Sequence, residues 1–225
     1  MSNAALTPLT PPTEIGGVIA IAYGPTPDDV ATALTPAELA VAAPMSPRRA
    51  REWALGRSCL RQALRGLDAS FADDLLINER GAPRVADALR VSLSHKHEVA
   101  VAWAQQASRG PAARWHLGID IETLAPPRQP IEARVLTPRE RAALPLAPAE
   151  RQAAVKMMFA LKEAAYKAID PFVQRYVGFA EAEAALMPDG LWHVEVAAHP
   201  AIMIRGRAQQ LAAHVVATAW AYMND

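Results

Sequence analysis

Two short stretches of this chain occur twice, and they keep the same order in both parts of the chain. Residues 34–38 read LTPAE and return as LTPRE at 136–140, while HEVAVAWA at 97–104 returns as HVVATAWA at 214–221. Such ordered self-similarity indicates an internal duplication. It predicts a pseudo-dimer of two similar α/β halves, with the active site in the cleft between them.

Stretches rich in proline and small residues predict where the halves begin and end. Residues 1–14 contain several prolines among small polar residues, which is typical of a flexible leader. Residues 105–114 include a Gly-Pro pair and predict a connector, so we expect an N-terminal half at 15–108 and a C-terminal half at 113–225. Because the predicted helices and strands follow no regular βαβ rhythm, the expected class is α+β.

Hydrophobic patterning and capping residues predict the individual elements. A Ser-Pro pair opens a helix at Pro47 that runs to about Arg65, and Gly66 ends it. A second long helix is expected over residues 153–169. Strands are expected at residues 15–23, 74–78, 89–93, 98–103 and from 115 onward.

Charge and composition exclude several classes of protein. The chain has 23 Lys and Arg and 23 Asp and Glu, so no net charge draws it to nucleic acid or to an anionic membrane. Its start lacks the basic region of a signal peptide, and the early apolar run is far shorter than the ~20 residues of a membrane helix. The single Cys59 excludes an internal disulfide and is typical of a small buried residue. We expect a cytoplasmic protein and, because a duplicated chain needs no partner to build its cleft, a monomer.

An acid pair on a predicted strand is the first candidate for chemistry. In residues 115–122, WHLGIDIE, alternation places Gly118, Asp120 and Glu122 on one face. The two carboxylates lie roughly 6.5 Å apart along the strand, close enough to reach one hard cation. Gly118 leaves room for a phosphate or a backbone to approach. A solvent-facing edge strand with two acids has the same spacing, and spacing alone favours that simpler interpretation.

A third acid lies on the second long helix. In residues 159–167, FALKEAAYK, four-residue steps place Phe159, Glu163 and Lys167 on one face. A surface ion pair between Glu163 and Lys167 would explain this spacing equally well, and such pairs are common on exposed helices. The core-facing residues would then be Val155, Met158, Ala165 and Ile169.

Two further groups could bind phosphate. Arg57 and Arg61 form a stripe on the first long helix, and Ser94 and His95 lie in a polar turn after a strand. The arginines could instead cover the core with their stems, and the turn could simply be capped by its own side chains. The chain has no Walker loop, dinucleotide fingerprint, zinc-type histidine pair or nucleophile elbow. What remains fits metal-assisted phosphoryl chemistry.

These motifs together resemble a known family. GIDIE at 118–122 followed by FALKEAAYK at 159–167 resembles the paired signatures of the Sfp-type 4′-phosphopantetheinyl transferases. The serine-histidine turn at 92–95 resembles an upstream motif of that family. Residues 56–61 and 166–179 look like those of the siderophore-synthesis members, which are similar to enterobactin synthase component D. The resemblance extends from about Leu34 to the C-terminus.

The resemblance implies a reaction and a metal. The 4′-phosphopantetheine arm of coenzyme A would move to a serine of an acyl or peptidyl carrier protein, with adenosine 3′,5′-bisphosphate as the second product. Magnesium would be held by Asp120, Glu122 and Glu163. Lys162 and Lys167 fall on family lysines, of which one would offset charge on the pyrophosphate and the other could serve packing.

The resemblance also implies contacts with coenzyme A and a catalytic base. Its phosphates would meet Ser94 and His95, and Arg57 and Arg61 would grip the adenosine-phosphate end. Glu140 falls on the position of the base that takes the serine proton. The sequence TPRE at 137–140 is equally a capping box, in which Glu140 would only start a helix, and the TPAE echo shares that pattern.

Some positions depart from the family pattern. A Gly-Lys-Pro turn of several members is Gly-Ala-Pro at 81–83, and the lysines that some members use for the 3′-phosphate are not evident. Arg48, Arg49 or Arg51 are the candidates to replace them. The alternatives to the transferase are another magnesium-dependent phosphotransferase or hydrolase, and a catalytically silent protein that binds carrier domains.

Overall fold

The structure is a computed structural model, and it describes residues 9–24, 32–68, 70–107, 115–126 and 129–224. The chain separates into two compact units, which we call the N-terminal unit (Leu9–Ala113) and the C-terminal unit (Arg114–Asp225). Residues 1–8 of the predicted leader and 108–114 of the predicted connector lie outside the described residues. Both units combine helices with antiparallel sheet, so the α+β class is confirmed.

The N-terminal unit packs one long helix on a three-stranded sheet. The sheet has the order β1-β3-β2, and the helix α2 contributes Leu60 and Leu64 to a core shared with the strands. Cys59 is fully buried there, and burial raises the pKa of its thiol to about 12, which confirms its structural role. The elements are β1 Val18–Tyr23, α1 Pro36–Ala42, α2 Pro47–Leu67, β2 Leu89–Lys96 and β3 Val99–Gln106.

The C-terminal unit repeats this plan and extends it. Its five-stranded antiparallel sheet has the order β4-β8-β7-β6-β5. The predicted core face of the long helix α5 is confirmed, since Val155, Met158, Ala165 and Ile169 all lie in the core. The elements are β4 His116–Thr123, α3 Glu132–Val135, α4 Pro138–Ala142, α5 Pro148–Val173, a 3-10 turn Phe179–Glu181, β5 Ala182–Leu186, β6 Trp192–Val196, β7 Ile202–Leu211 and β8 His214–Met223.

The predicted duplication is visible in topology and register. The neighbours β1-β3-β2 of one unit correspond to β4-β8-β7 of the other. The HEVAVAWA echo contributes to β3 and its counterpart to β8, and Ala104 pairs with Val18 as Ala221 pairs with His116. Both long helices begin with a proline in their first turn. The two halves are therefore similar in architecture as well as in sequence.

Several predicted elements differ from the structure. The helix α2 continues through Gly66 to Leu67, and β2 includes Ser94 and His95, which were predicted in a turn after the strand. The strand expected at 74–78 is absent from the described residues, where an isolated bridge joins Ile77 to Pro83. The N–H of Leu75 donates instead to the Glu38 carboxylate, so a side chain takes the place of a neighbouring strand. The helix expected over 153–169 is longer at both ends, because Pro148 fits its first turn and Pro171 lies in its last turn.

No helix within the described ranges combines the length and the apolar character that a bilayer crossing requires.

Candidate active site

Gly118 allows α5 to lie directly on β4. A Cβ atom at this position would overlap the carbonyl oxygen of Ala164, so any side chain here would push the helix away from the strand. The close approach that the sequence predicted is therefore that of a helix backbone. Its consequence is that side chains on α5 come within reach of those on β4.

The two acids of β4 are buried. Asp120 is 5% exposed and Glu122 is 7% exposed, so the prediction that these acids face solvent is wrong, while β4 does lie at the edge of its sheet. The Lys167 ammonium donates to Asp120 Oδ1 at 2.7 Å and to the Ile119 carbonyl at 2.9 Å. The lysine of the helix motif thus pairs with the strand acid, which spacing along the helix alone could not reveal.

Glu163 is the third acid of this group. Burial raises the pKa of its carboxyl, and the nearby charges of Asp120 and, more weakly, Glu122 raise it further. The Lys167 ammonium opposes them and lowers the same pKa. The three carboxylates therefore interact electrostatically, as their assignment to one site requires.

A lysine that the sequence analysis did not single out faces the same acids. Lys156 is 6% exposed, and its Nζ lies 3.8 Å from Glu122 Oε2. It precedes Glu163 by two helical turns and so shares its side of α5. That spacing is the signal that could have found it.

In this conformation two of the acids contact lysines. Among the residues that the structure describes, no three His, Cys, Asp or Glu side chains are gathered closely enough to hold a metal ion. Asp120 contacts Lys167, and Glu122 contacts Lys156. A cation shared by the acids would require these side chains to turn toward one another.

Glu140 lies in a hydrogen-bond network in the same unit. It closes the predicted capping box, because its Oε2 accepts from Thr137 N and its own N–H donates to Thr137 Oγ1, so the cap is confirmed. Oε2 also accepts from Lys162 Nζ at 2.7 Å, and Oε1 accepts from Ala184 N at 2.8 Å. The side chain is 3% exposed. Its role as a base stays a prediction.

Lys162 is the partner of Glu140 and is fully buried. Its ammonium donates to the Val135 and Phe179 carbonyls, each at 3.0 Å, and to Glu140. Burial lowers the pKa of this ammonium, and the Glu140 carboxylate opposes that shift. With three acceptors around three N–H groups, Lys162 joins α5 to two other segments.

The predicted phosphate-binding arginines lie on α2 of the N-terminal unit. The Arg57 guanidinium stacks on Trp53 with Cζ 3.8 Å from the ring centroid, and its Nε has no hydrogen-bond partner among the described residues. Burial lowers its pKa to about 10, so it remains charged at neutral pH. Arg61 donates from Nη2 to Glu38 Oε1 at 2.7 Å in a buried ion pair. Nη1 of Arg61 also lacks a hydrogen-bond partner within the described ranges.

Ser94 and His95 lie near the end of β2, opposite Val101 and Ala100 of β3. The His95 Nε2 lies 3.1 Å from Arg49 Nη1. A guanidinium only donates, so a hydrogen bond between these atoms requires the His95 tautomer in which Nε2 accepts. The structure thus places Arg49, one of the arginines considered for a missing lysine, beside His95.

Comparison with known proteins agrees with these motifs. The sequence profile of the 4′-phosphopantetheinyl transferase superfamily matches residues 116–219, and that of the 4′-phosphopantetheinyl transferase N-terminal domain matches residues 36–105. The 4′-phosphopantetheinyl transferase Svp of Streptomyces mobaraensis is 34% identical over 170 residues, which cover 75% of this chain and 67% of that protein.

Solved structures resemble part of the chain. The holo-ACP-synthase from Plasmodium yoelii matches with a TM-score of 0.40 at 22% identity, and the Chronobacterium ammoniagenes ACPS-CoA complex with 0.41 at 19% identity. Each match covers 49% of this chain and 98% of the other. The sequence matches, by contrast, reach both halves. The chain is therefore a transferase that belongs to the 4′-phosphopantetheinyl transferase superfamily.

Proposed function

We propose that this protein moves the 4′-phosphopantetheine arm of coenzyme A onto a serine of an apo acyl or peptidyl carrier protein. The serine Oγ would bond to the phosphorus that carries the arm, and the bond from that phosphorus to the bridging oxygen of the diphosphate would break. The serine proton passes to a base. The products are the holo-carrier and adenosine 3′,5′-bisphosphate.

One observation carries this proposal. The helix that holds Glu163 and Lys167 lies directly on the strand that holds Asp120, because residue 118 has no side chain. The two family signatures therefore meet in space as well as in sequence. A buried group of acids and lysines suits a reaction that depends on charge neutralisation and positioning.

The chemistry of the donor set suits a magnesium ion, which the acids would share by turning toward one another. Asp120, Glu122 and Glu163 supply carboxylate oxygens, which are the ligands that Mg²⁺ prefers, and their mutual repulsion favours a cation between them. When bound, the ion would neutralise charge that develops on the diphosphate. Lys167 would hold Asp120 in position through its 2.7 Å contact.

The nucleotide end of coenzyme A is assigned to the N-terminal unit. Arg57 offers an Nε without a protein acceptor among the described residues, and Arg61 offers such an Nη1. His95 and Arg49 lie together near the end of β2, with Ser94 beside them in the chain. Guanidinium groups recognise phosphate through paired hydrogen bonds, which supports the 3′-phosphate as their ligand.

The base that receives the serine proton stays a prediction. Family resemblance assigns it to Glu140, whereas both oxygens of this carboxylate already accept hydrogen bonds from Thr137, Lys162 and Ala184. A base at this position would have to exchange one of those partners for the serine hydroxyl. The geometry gives more support to a structural role.

The pathway is proposed from short motifs. Residues 56–61 and 166–179 support a carrier protein of siderophore or related secondary-metabolite synthesis. A monomeric state and a cytoplasmic location stay predictions.

The test is turnover with defined substrates. The enzyme is incubated with coenzyme A, Mg²⁺ and a panel of apo-carriers from fatty-acid, polyketide, siderophore and other peptide synthesis, and the carriers are weighed by mass spectrometry. One added phosphopantetheine on the serine, lost when the serine is replaced by alanine, supports the proposal. Release of adenosine 3′,5′-bisphosphate without a modified carrier would instead indicate a hydrolase, and carrier binding without any product would indicate a silent scaffold.

A further inference from the structure

We propose that Lys156 binds the diphosphate of coenzyme A, and this inference rests on the proposed function. Lys156 lies outside the signature motif at 159–167, yet it is 6% exposed and faces Glu122. A charged side chain with so little exposure is costly unless it is paired and hydrogen-bonded. Its position therefore requires an explanation, and an anionic ligand provides one.

The hydrogen bonds of the three lysines on α5 show which one is available. Lys162 donates to three acceptors and is fully used. Lys167 donates to Ile119 O and Asp120 Oδ1. Lys156 donates no hydrogen bond among the described residues, because its contact with Glu122 is 3.8 Å long and lies beyond hydrogen-bond range. Of the three ammonium groups, that of Lys156 has the most donor capacity left for a ligand.

The duplicated helix shows that folding does not require a lysine at this position. The helices α2 and α5 both begin with proline, at Pro47 and Pro148, and Arg61 and Lys162 stand at the same distance from them. In this alignment Lys156 corresponds to Leu55, which is buried in the core of the N-terminal unit. A leucine satisfies the packing at that position, so packing does not explain the charge of Lys156.

The charge of the surrounding group indicates an anion. The carboxylates of Asp120, Glu122 and Glu163 lie around the ammonium groups of Lys156 and Lys167. A divalent cation at the carboxylates would add positive charge beside Lys156. Lys156 and the cation would then both attract an anionic oxygen, and a diphosphate is the anionic part of coenzyme A next to the bond that breaks.

A simpler role for Lys156 would be that of a counter-ion for Glu122. In that case Lys156→Met would strengthen the binding of Mg²⁺ alone, because a competing cation is removed, and it would leave the affinity for coenzyme A unchanged. A ligand-binding role predicts instead that Lys156→Met weakens the binding of coenzyme A. The two roles therefore differ in a binding experiment that needs no turnover.

The test measures dissociation constants by calorimetry in the presence of Mg²⁺. Coenzyme A is compared with dephospho-coenzyme A, which keeps the diphosphate and lacks the 3′-phosphate. Lys156→Met should weaken both ligands by the same factor, about tenfold or more, since a charge-assisted hydrogen bond is lost in each complex. Lys156→Arg should retain most of the affinity. An Arg57→Leu variant should instead weaken coenzyme A more than dephospho-coenzyme A.

Leu55→Met is the matched control at the corresponding buried position of α2, and it should bind both ligands like the wild type. The inference is overturned if Lys156→Met binds both ligands within about twofold of the wild type, or weakens coenzyme A alone. Failure of the wild type itself to bind coenzyme A would overturn the proposed function instead. Circular dichroism of each variant excludes loss of fold as the cause.

Discussion

The two units share a buried carboxylate network at corresponding positions. In the N-terminal unit Glu38 closes a capping box with Thr35, pairs with Arg61 of α2 and accepts from Leu75 N. In the C-terminal unit Glu140 makes the same bonds, with Thr137 in the box, Lys162 of α5 and Ala184 N. β1 carries no acids like those of β4, so Glu38 makes these bonds in a unit without such a group, and the role of Glu140 as a base stays a prediction.

The acids of the candidate active site lie at positions where the two units differ. Strand register aligns Asp120 with Ala22, since Ala221 pairs with His116 as Ala104 pairs with Val18. The helix alignment sets Glu163 against Gln62. By the same alignments Lys156 corresponds to Leu55, Lys167 to Gly66 and Glu122 to Gly24. The duplication thus allows shared positions to be compared with positions that differ.

The largest expected effect tests the positions that differ. Asp120→Ala or Glu163→Ala should lower turnover by about 10³-fold, because each removes a negative oxygen ligand from the site that stabilises charge on the diphosphate. Melting temperatures should stay near that of the wild type. Gln62 is the exposed residue of α2 that corresponds to Glu163, and Gln62→Ala should have wild-type turnover. Near-wild-type activity of either acid variant at saturating Mg²⁺ would show that the acids are misassigned.

The next effect tests the shared carboxylate network. Lys162→Met and Arg61→Met should each lower the free energy of unfolding by about 3–5 kcal/mol, because each leaves a buried carboxylate without its cation. Urea unfolding followed by fluorescence measures this loss. Arg65→Met, which removes an exposed cation of α2, should change the same free energy by at most about 0.5 kcal/mol. If only one unit loses stability, the correspondence between the two networks fails.

A smaller effect separates the two roles considered for Glu140. Glutamine keeps one acceptor oxygen but sets an amide NH₂ among the N–H donors of Lys162, Thr137 and Ala184. Glu140→Gln and Glu38→Gln should therefore each cost about 2 kcal/mol of stability. Turnover per folded molecule should stay within about tenfold of the wild type for both. A catalytic base would show as a further fall of about 10²- to 10⁴-fold in Glu140→Gln alone.

The sequence could predict local features and the duplication, because these depend on neighbours in the chain. The capping boxes follow from Thr and Glu three residues apart, and both are present. The partners of their carboxylates, Arg61 and Lys162, lie 23 and 22 residues further along the chain, so only the tertiary fold brings them together. The expected strand at 74–78 failed for the same reason, since the Glu38 side chain binds Leu75 N in place of a partner strand.

The acids of the candidate site were predictable from the sequence, whereas the partners of its lysines were not. Alternation placed Asp120 and Glu122 on one face of β4, and the helix motif supplied Glu163. Which lysine contacts which acid depends on how closely α5 approaches β4, and that distance is set by Gly118 across the packing interface. Lys162 and Lys167 look alike in the motif, yet one is used entirely by the fold and the other contacts Asp120.

The smallest expected effect uses pH to test whether the acids interact. In the folded protein the pKa of Glu163 is raised by burial and by Asp120 and Glu122, against the opposing effect of Lys167. Between its ordinary and its raised pKa, the folded state therefore holds a proton that the unfolded chain has lost. Because the folded state binds more protons there, this group makes stability fall as pH rises through that window.

The measurement is the free energy of unfolding of metal-free wild type and Glu163→Gln, by urea from about pH 4 to pH 8. The stability of the wild type relative to Glu163→Gln should fall with rising pH, by about 1.4 kcal/mol for each unit by which the pKa is raised. Gln62→Glu creates a carboxyl at the exposed corresponding position of α2, where no strand acids surround it, and should show no such fall. Adding Mg²⁺ should remove the fall in the wild type, because a bound cation favours the ionised carboxylate. The metal-free wild type and Glu163→Gln could instead differ in the free energy of unfolding by an amount that is independent of pH. That result would mean that the three acids do not share a site. The contrast between the two units would then have no functional explanation.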